Sequence, residues 1–423
     1  MFIHLDLDCY FVSAHRSLDD SLLNIPVAVG GRSNIDIFSQ QSKARKVATN
    51  RAAFSSKVLT NDANKSFKEY YVDENGRIRG IITTASYEAR SFGVKTAMSV
   101  NEALRLCPKL KMIPPNYDLY DELSLKLKTL LEKEIPLIEQ YSIDEFFGDL
   151  TGFIEEHEAL EFGFYLKDKI YKDLKLPASI GLASTKYLSK LMTNHAKPNG
   201  VKLLKKDEIE EFTKDIKIEE FTGIGKALCE KLNGYNIKTL GDIRKNQKLF
   251  YSWGKIGVDT YNRVCGIRDN KLTLNKERKS LGIGRTFDAI YDRKEVRRRV
   301  MILSRYLSFI VKKDGVNPLS YILQIRYEYN IKVKLQENTN KMFNEFDFKN
   351  SMIALFDKLD RHKNHGVIQI YITVFNFAKK NEHTFNLFEY EDDLKKEELS
   401  KNIQNLREKF GIDIIKTAFE IEK

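Results

Sequence analysis

Cysteine is scarce and scattered in this chain. Cys9, Cys107, Cys229 and Cys265 lie far apart in 423 residues, and no two form a CxxC. That spacing supports neither a zinc site nor a disulfide framework, and it favours a reducing setting. No apolar run approaches the roughly 20 residues needed to cross a bilayer, so no membrane span is expected. No secretion signal is read at the N-terminus, where Met1 runs straight into a strand bearing acids, so a cytoplasmic location is expected. No internal repeat is present, which sets repeat architectures aside.

What the chain does have is length and positive charge. Its 423 residues suffice for two to four domains, and 42% hydrophobic with 30% charged residues is an ordinary balance for a folded core. The formal net charge is +11. It is concentrated: residues 276–334 hold 15 Lys and Arg against 6 Asp and Glu, a net +9. A basic stripe with interleaved aromatics is the footprint of a nucleic-acid partner rather than of an ordinary lysine-rich surface. Residues 379–423 carry 11 acids against 9 bases and are not expected to grip a polyanion.

Two acidic pairs organise the reading. In Phe2-Ile3-His4-Leu5-Asp6-Leu7-Asp8 the apolar residues alternate with polar ones at the strand period, so Asp6 and Asp8 share a face. In Tyr141-Ser142-Ile143-Asp144-Glu145-Phe146-Phe147-Gly148-Asp149, two adjacent carboxylates sit among apolar residues. Neighbours in a regular strand point to opposite faces, so both can reach one centre only at a tight hairpin or local twist. If the two strands lie side by side, Asp6, Asp144 and Glu145 converge. Three hard oxygen ligands without His or Cys suit Mg²⁺, which also accepts phosphate oxygens. Taken alone, each pair is also compatible with solvated turn acids.

Along the chain, Pro26-Val27-Ala28-Val29-Gly30-Gly31 reads as a strand, and residues 34–80 as a polar, basic insertion, partly helical around 39–53, with a turn at Asn75-Gly76. Gly80-Ile81-Ile82-Thr83-Thr84 is a further strand. Helices are expected at 117–133, 158–174 and 185–195, with a strand at 177–183. The order strand, helix, strand–hairpin–strand, helix, strand implies an α+β, ferredoxin-like sheet domain. Residues 206–270 read as short helices around Phe221-Thr222-Gly223-Ile224-Gly225-Lys226, glycine spacing suited to a helix-hairpin-helix that holds a phosphate. Residues 271–280 form a linker, and 281–378 a second α+β domain with strands at 321–327 and 367–375 and helices at 296–311 and 351–359. Leu399, Ile403, Leu406 and Phe410 mark an amphipathic tail helix.

Four motifs occur in order: Asp-Leu-Asp-Cys-Tyr-Phe (6–11), Ser-Tyr-Glu-Ala-Arg (86–90), Ser-Ile-Asp-Glu (142–145) and Ala-Lys-Pro-Asn-Gly (196–200). With the Gly-Ile-Gly segment between helices, the chain resembles the Y-family translesion DNA polymerases of the bacterial polymerase IV and V type. The resemblance covers residues 1–33 and 80–378. It implies a palm at 1–12 and 114–201, fingers at 13–113, a thumb at 202–270, a little finger at 281–378 and a tail at 379–423. It implies a low-fidelity DNA-directed DNA polymerase that extends primers past damaged bases with dNTP substrates. Asp6, Asp144, Glu145 and the carbonyl of Leu7 would ligate two Mg²⁺ ions, an arrangement suited to in-line displacement. Tyr87, Arg90 and Lys190 would contact the triphosphate, Arg90 as a planar fork and Lys190 as a point charge. Phe11 would be the steric gate that excludes a 2′-OH, and Ile81, Thr83 and Ala97 would roof the nascent base pair. Arg285, Arg297, Arg298, Arg299 and Arg326 would meet primer-template phosphates. Thr384-Phe385-Asn386-Leu387-Phe388 resembles a degenerate sliding-clamp motif in which Thr384 replaces the usual leading Gln; packing on its own domain is the alternative. A monomer is expected.

The sequence departs from the family in the 34–80 insertion, in His15 where Glu is common, and in Phe221-Thr222 before the glycines. None of these removes a catalytic residue. A non-catalytic DNA-binding accessory protein, or a cyclase-like nucleotidyl transferase, would share part of the pattern. The intact acids argue against the first, and the thumb and basic domain against the second.

Overall fold

The computed structural model describes residues 1–33, 36–38, 64–267, 271–274, 278–378 and 390–421. The chain divides into two compact units, Met1–Gly31 with Asp62–Lys276, and Arg32–Asn61 with Glu277–Lys423.

In the first unit the strands are, in chain order, β1 (Phe2–Leu7), β2 (Val27–Gly31), β3 (Ile81–Ala85), β4 (Lys111–Ile113), β5 (Leu137–Gln140), β6 (Glu145–Asp149), β7 (Ala178–Ala183) and β8 (Val201–Leu204). The larger sheet has the order β5-β6-β1-β7-β8. β1 lies at its centre, antiparallel to β6 and to β7, and is buried along its whole length. Helices Tyr117–Glu134, Ala159–Leu174 and Lys186–Ala196 pack on this sheet, which gives the expected ferredoxin-like order with β8 added.

Helix Lys186–Ala196 starts where the Thr185 side chain accepts from the Leu188 N–H, and its Leu188, Leu191 and Met192 are buried. It lies unusually close to β7. A Cβ on Gly181 would fall 2.1 Å from the Ser189 carbonyl oxygen and 2.3 Å from the Thr193 nitrogen, so only glycine permits this approach. The smaller sheet has the order β3-β2-β4. The buried Tyr71 hydroxyl accepts from Gly30 N–H at 3.0 Å and donates to the Ile113 carbonyl at 2.7 Å, fastening β2 to β4. Asn75-Gly76 lies in a turn, with Gly76 at φ +73°. Short helices follow from Lys226–Gly234 to Lys255–Cys265, with Leu232, Ile243, Phe250 and Val264 in their core. Gly223, at φ +103°, makes the bend ahead of them.

The second unit contains β9 (Ser280–Ile290), β10 (Pro318–Tyr327), β11 (Lys332–Asn338) and β12 (Val367–Phe377) in the order β11-β10-β12-β9. Helices Arg293–Asp314 and Glu345–Leu359 bury their apolar sides with it. β9 and β11 were not anticipated. β9 is interrupted by Gly282 and Gly284, and β11 is an edge strand whose lysines alternate with half-buried residues.

Three features of this unit differ from the sequence reading. Ile37 and Phe38 are buried in its core, so the start of the insertion belongs with residues 277–423 rather than with the fingers. Arg298 donates from both terminal nitrogens to the Phe38 carbonyl at 3.0 Å and pairs with Glu295, while Arg299 stacks over Phe38 and Phe287. Arg285 and Arg298 are buried, and Arg297 pairs with Asp357. These arginines are engaged within the unit, which opposes the expectation that they point to phosphates. The tail is also part of the unit: Ile412 is buried, and Arg305, 1% exposed, pairs with Asp413 at 2.8 Å. Along helix Tyr390–Phe410, Leu399, Leu406 and Phe410 are exposed instead of packed. Residues 39–53 and 384–388 lie outside the described residues.

Removing one partner of a buried ion pair leaves the other charge uncompensated. Arg305 keeps Glu420 3.5 Å away when Asp413 is removed, so Asp413→Ala is expected to destabilise the protein by about 1–3 kcal/mol, read as a loss in urea unfolding; a change near zero would show this contact to be dispensable.

Candidate active site

β1 and β6 run antiparallel in a register that sets Asp6 opposite Glu145. Asp144 precedes Glu145 in the tight connection between β5 and β6. There the Ser142 hydroxyl donates to an Asp144 carboxylate oxygen and accepts from the Glu145 N–H at 3.1 Å. The Asp144 carbonyl accepts from Leu7 N–H at 3.1 Å, which ties this hairpin to the end of β1. The hairpin required by two adjacent acids is thus present, and its turn is held by Ser142, to which the sequence reading gave no role.

The acids are costly to keep charged. Burial pushes Asp6 up to about 7; Lys197 opposes this, and Asp144 and Glu145 add to it. Burial also raises Asp144, with the Ser142 hydrogen bond opposing and Glu145 reinforcing the shift. Two lysines offset the charge. Lys197 Nζ lies 2.6 Å from Asp6 Oδ1, and Lys190 Nζ lies 2.6 Å from Glu145 Oε1. With two of the acids turned toward lysines, no group of three His, Cys, Asp or Glu among the described residues forms a ready ligand set. The donor chemistry nonetheless fits hard divalent cations: three carboxylates gathered at one point, two of them paired with ammonium groups.

The other candidates surround this cluster. Phe11, on helix Tyr10–Arg16, stacks on Tyr120 with ring centroids 4.2 Å apart and planes 9° from parallel. Its neighbour Tyr10 is buried and donates to the Tyr120 carbonyl, so the helix presents Phe11 as the partly exposed ring. His15 Nε2 meets the Tyr120 hydroxyl at 2.8 Å, and burial lowers its pKa to about 4, so this replacement for Glu serves as a neutral partner. Tyr87 gives its hydroxyl proton to Asp8 Oδ1 at 2.9 Å. Arg90 bonds the Ala85 carbonyl through Nε at 3.0 Å, lies 5.0 Å from the Tyr87 ring centre, and is exposed. Ile81 is 52% exposed, and Ala97 sits at φ +69° on the same sheet edge.

Lys197 and Asp8 had no role in the sequence reading. Both lie inside quoted motifs, but their partners are distant in the chain. The buried pair Lys186–Glu139, 2.6 Å apart, was also missed; Glu139 further accepts from the Thr273 N–H at 2.7 Å, fixing the start of the linker.

A carboxylate whose folded pKa is raised is stabilising only when protonated, so metal-free stability falls as pH climbs from the ordinary carboxylate range through about 7. In EDTA at pH 8, Asp144→Asn is therefore expected to raise Tm by about 2–4 °C. Excess Mg²⁺ should shrink that gain. A lowered Tm in EDTA would contradict the electrostatic reading.

The sequence model of the impB/mucB/samB family matches residues 5–194. A DNA polymerase IV of Lactococcus lactis subsp. cremoris is 30% identical over 305 residues, spanning 71% of this chain and 84% of that protein. A DNA polymerase IV of Bacillus velezensis is 28% identical over 432 residues, spanning 100% of this chain and 94% of that protein. Among solved structures, a Y-family DNA polymerase chimera of Dbh and Dpo4 shares the fold with a TM-score of 0.69 at 22% identity, covering 89% of this chain and 99% of its own. With the acidic hairpin, the ferredoxin-like sheet and a polymerase IV relative matched over most of its length, the chain belongs to the Y-family of DNA polymerases.

Proposed function

We propose that this protein is a low-fidelity, template-directed DNA polymerase that extends primers across damaged template bases. The single observation that carries the reading is the strand register that sets Asp6 opposite Glu145, with Asp144 beside it. Asp6, Asp144, Glu145 and the Leu7 carbonyl would hold two Mg²⁺ ions. When bound, the ions supply Lewis acidity toward the primer 3′-OH and the leaving pyrophosphate. The residues of the chain do the rest. Lys190 exchanges Glu145 for a phosphate oxygen, and Lys197 releases Asp6. Arg90, anchored through its Nε, offers its free nitrogens to the triphosphate. Tyr87 contributes its hydroxyl. Phe11, braced by Tyr120, fills the space under the sugar and excludes a 2′-OH. The basic second unit grips primer-template phosphates without reading sequence, so binding weakens with salt. The intact acids weigh against a non-catalytic accessory role.

The protein acts as a cytoplasmic monomer in this reading, and no helix among the described residues is long and apolar enough to cross a membrane. Residues 384–388 dock on a sliding clamp through Leu387 and Phe388.

Asp6→Ala and Glu145→Ala are expected to lower primer extension by at least about a thousandfold while primer-template affinity stays within about threefold. Extension at wild-type rate by either variant would refute the assignment. Phe11→Ala should admit ribonucleotides at least about tenfold better, read in single-nucleotide incorporation; unchanged sugar discrimination would remove the gate role.

A further inference from the structure

Asp8 is 3% exposed, and its carboxylate accepts three hydrogen bonds, two from hydroxyls and one from a backbone N–H. The Tyr87 hydroxyl donates to Oδ1 at 2.9 Å, the Ser179 hydroxyl to Oδ2 at 2.9 Å, and the Asn199 N–H to Oδ2 at 2.7 Å. The donors come from three elements: helix Tyr87–Ser91, strand β7, and the turn after helix Lys186–Ala196 that also carries Lys197. A backbone N–H can only donate, so Oδ2 is fixed as an acceptor. Asp8 thus sits between the acid at position 6 and the helix bearing Phe11, and it draws a proton from each surrounding element.

The consequence falls on Tyr87. A phenol carries one proton. When that proton points to Asp8, the oxygen offers only lone pairs to anything else. A triphosphate oxygen is likewise an acceptor. Asp8 and the triphosphate therefore cannot both hold the Tyr87 proton.

We propose that Asp8 is a positioning residue that competes with the incoming nucleotide for the Tyr87 hydroxyl proton and thereby holds nucleotide affinity down. The proposal rests on the reading of Tyr87 as a triphosphate contact. Nucleotide arrival swaps the partner of one proton while the ring stays in place, because the Arg90 side chain that lies over it is itself anchored on Ala85. Asp8 keeps its Ser179 and Asn199 hydrogen bonds on Oδ2 after the swap, so the carboxylate stays held while Oδ1 gives up Tyr87.

Asp8→Asn tests this with almost no change of shape. The Asn199 N–H requires an acceptor, so the amide oxygen takes the place of Oδ2, where the Ser179 hydroxyl can still donate to it. The amide nitrogen then faces Tyr87 and donates to it, which turns the phenolic proton toward the nucleotide. In steady-state primer extension, KM for dNTP should fall about fivefold, with a smaller change in kcat, the pattern of altered ground-state binding. Tyr87→Phe alone should raise KM, and Asp8→Asn placed in that background should have no further effect. A KM that rises or holds in the Asp8→Asn protein, while Tyr87→Phe alone raises it, would overturn the proposal. A KM shift of equal size with and without the hydroxyl would also overturn it, since that marks a merely structural role. An unchanged KM in Tyr87→Phe alone would instead refute Tyr87 as a triphosphate contact. Should Asp8→Asn not fold, ¹³C NMR of the Tyr87 Cζ in the wild-type protein carries the test. Adding a non-hydrolysable dNTP analogue to the primer-template complex should shift that resonance as the proton leaves Asp8, and an unmoved resonance would overturn the proposal.

Discussion

Gathering negative charge in a low-dielectric pocket is the constraint on which the rest of this structure turns. Asp6 and Glu145 come from two strands paired at the centre of a sheet and Asp144 from the turn beside them, and burial together with neighbouring carboxylates makes Asp6 and Asp144 poor anions by themselves. Such a cluster persists only with cations beside it. In the protein itself those are Lys197 and Lys190, each 2.6 Å from an acid. A site built this way keeps its acids paired in the folded chain, and in the proposed reaction those ammonium groups would give way to metal and nucleotide.

The fold delivers those lysines through one close contact. Gly181 lets helix Lys186–Ala196 settle on β7, and Thr193 on that helix donates to the His4 carbonyl of β1 at 3.0 Å. Seated there, the helix holds Lys190 beside Glu145, and the turn that follows it holds Lys197 beside Asp6. The hairpin from β5 to β6 completes the arrangement, because Ser142 fixes the turn that allows two adjacent acids to serve one centre. Asp8, just past the end of β1, then fastens helix Tyr87–Ser91 to this frame through Tyr87, so packing and charge meet at one short stretch of chain.

Much of this was legible in the chain because its signals are local. The alternation in residues 2–8 marks a strand, and two neighbouring carboxylates among apolar residues demand a turn. The helices at 117–133, 158–174 and 185–195 follow from apolar spacing and fall within a residue or so of their observed bounds. What was missed depends on partners far apart in sequence. Nothing near Lys197 shows that it meets Asp6, and nothing near Phe38 shows that it is held by Arg298 and Arg299. An arginine-rich helix reads as a polyanion site until its acids are found, here Glu295 and Asp357. The tail misled for the opposite reason: its helical spacing is real, but it is anchored by buried Arg407, paired with Glu345, and by Ile412 and Asp413 beyond the helix, while Leu399 and Leu406 stay exposed.

The most direct test is anomalous diffraction from a Mn²⁺-soaked crystal of the protein with primer-template and a non-hydrolysable dNTP. The account predicts anomalous density between Asp6, Asp144 and Glu145, with the Lys190 and Lys197 ammonium groups moved off Glu145 and Asp6. Density elsewhere, or both lysines still bonded to those acids in a loaded complex, would contradict it.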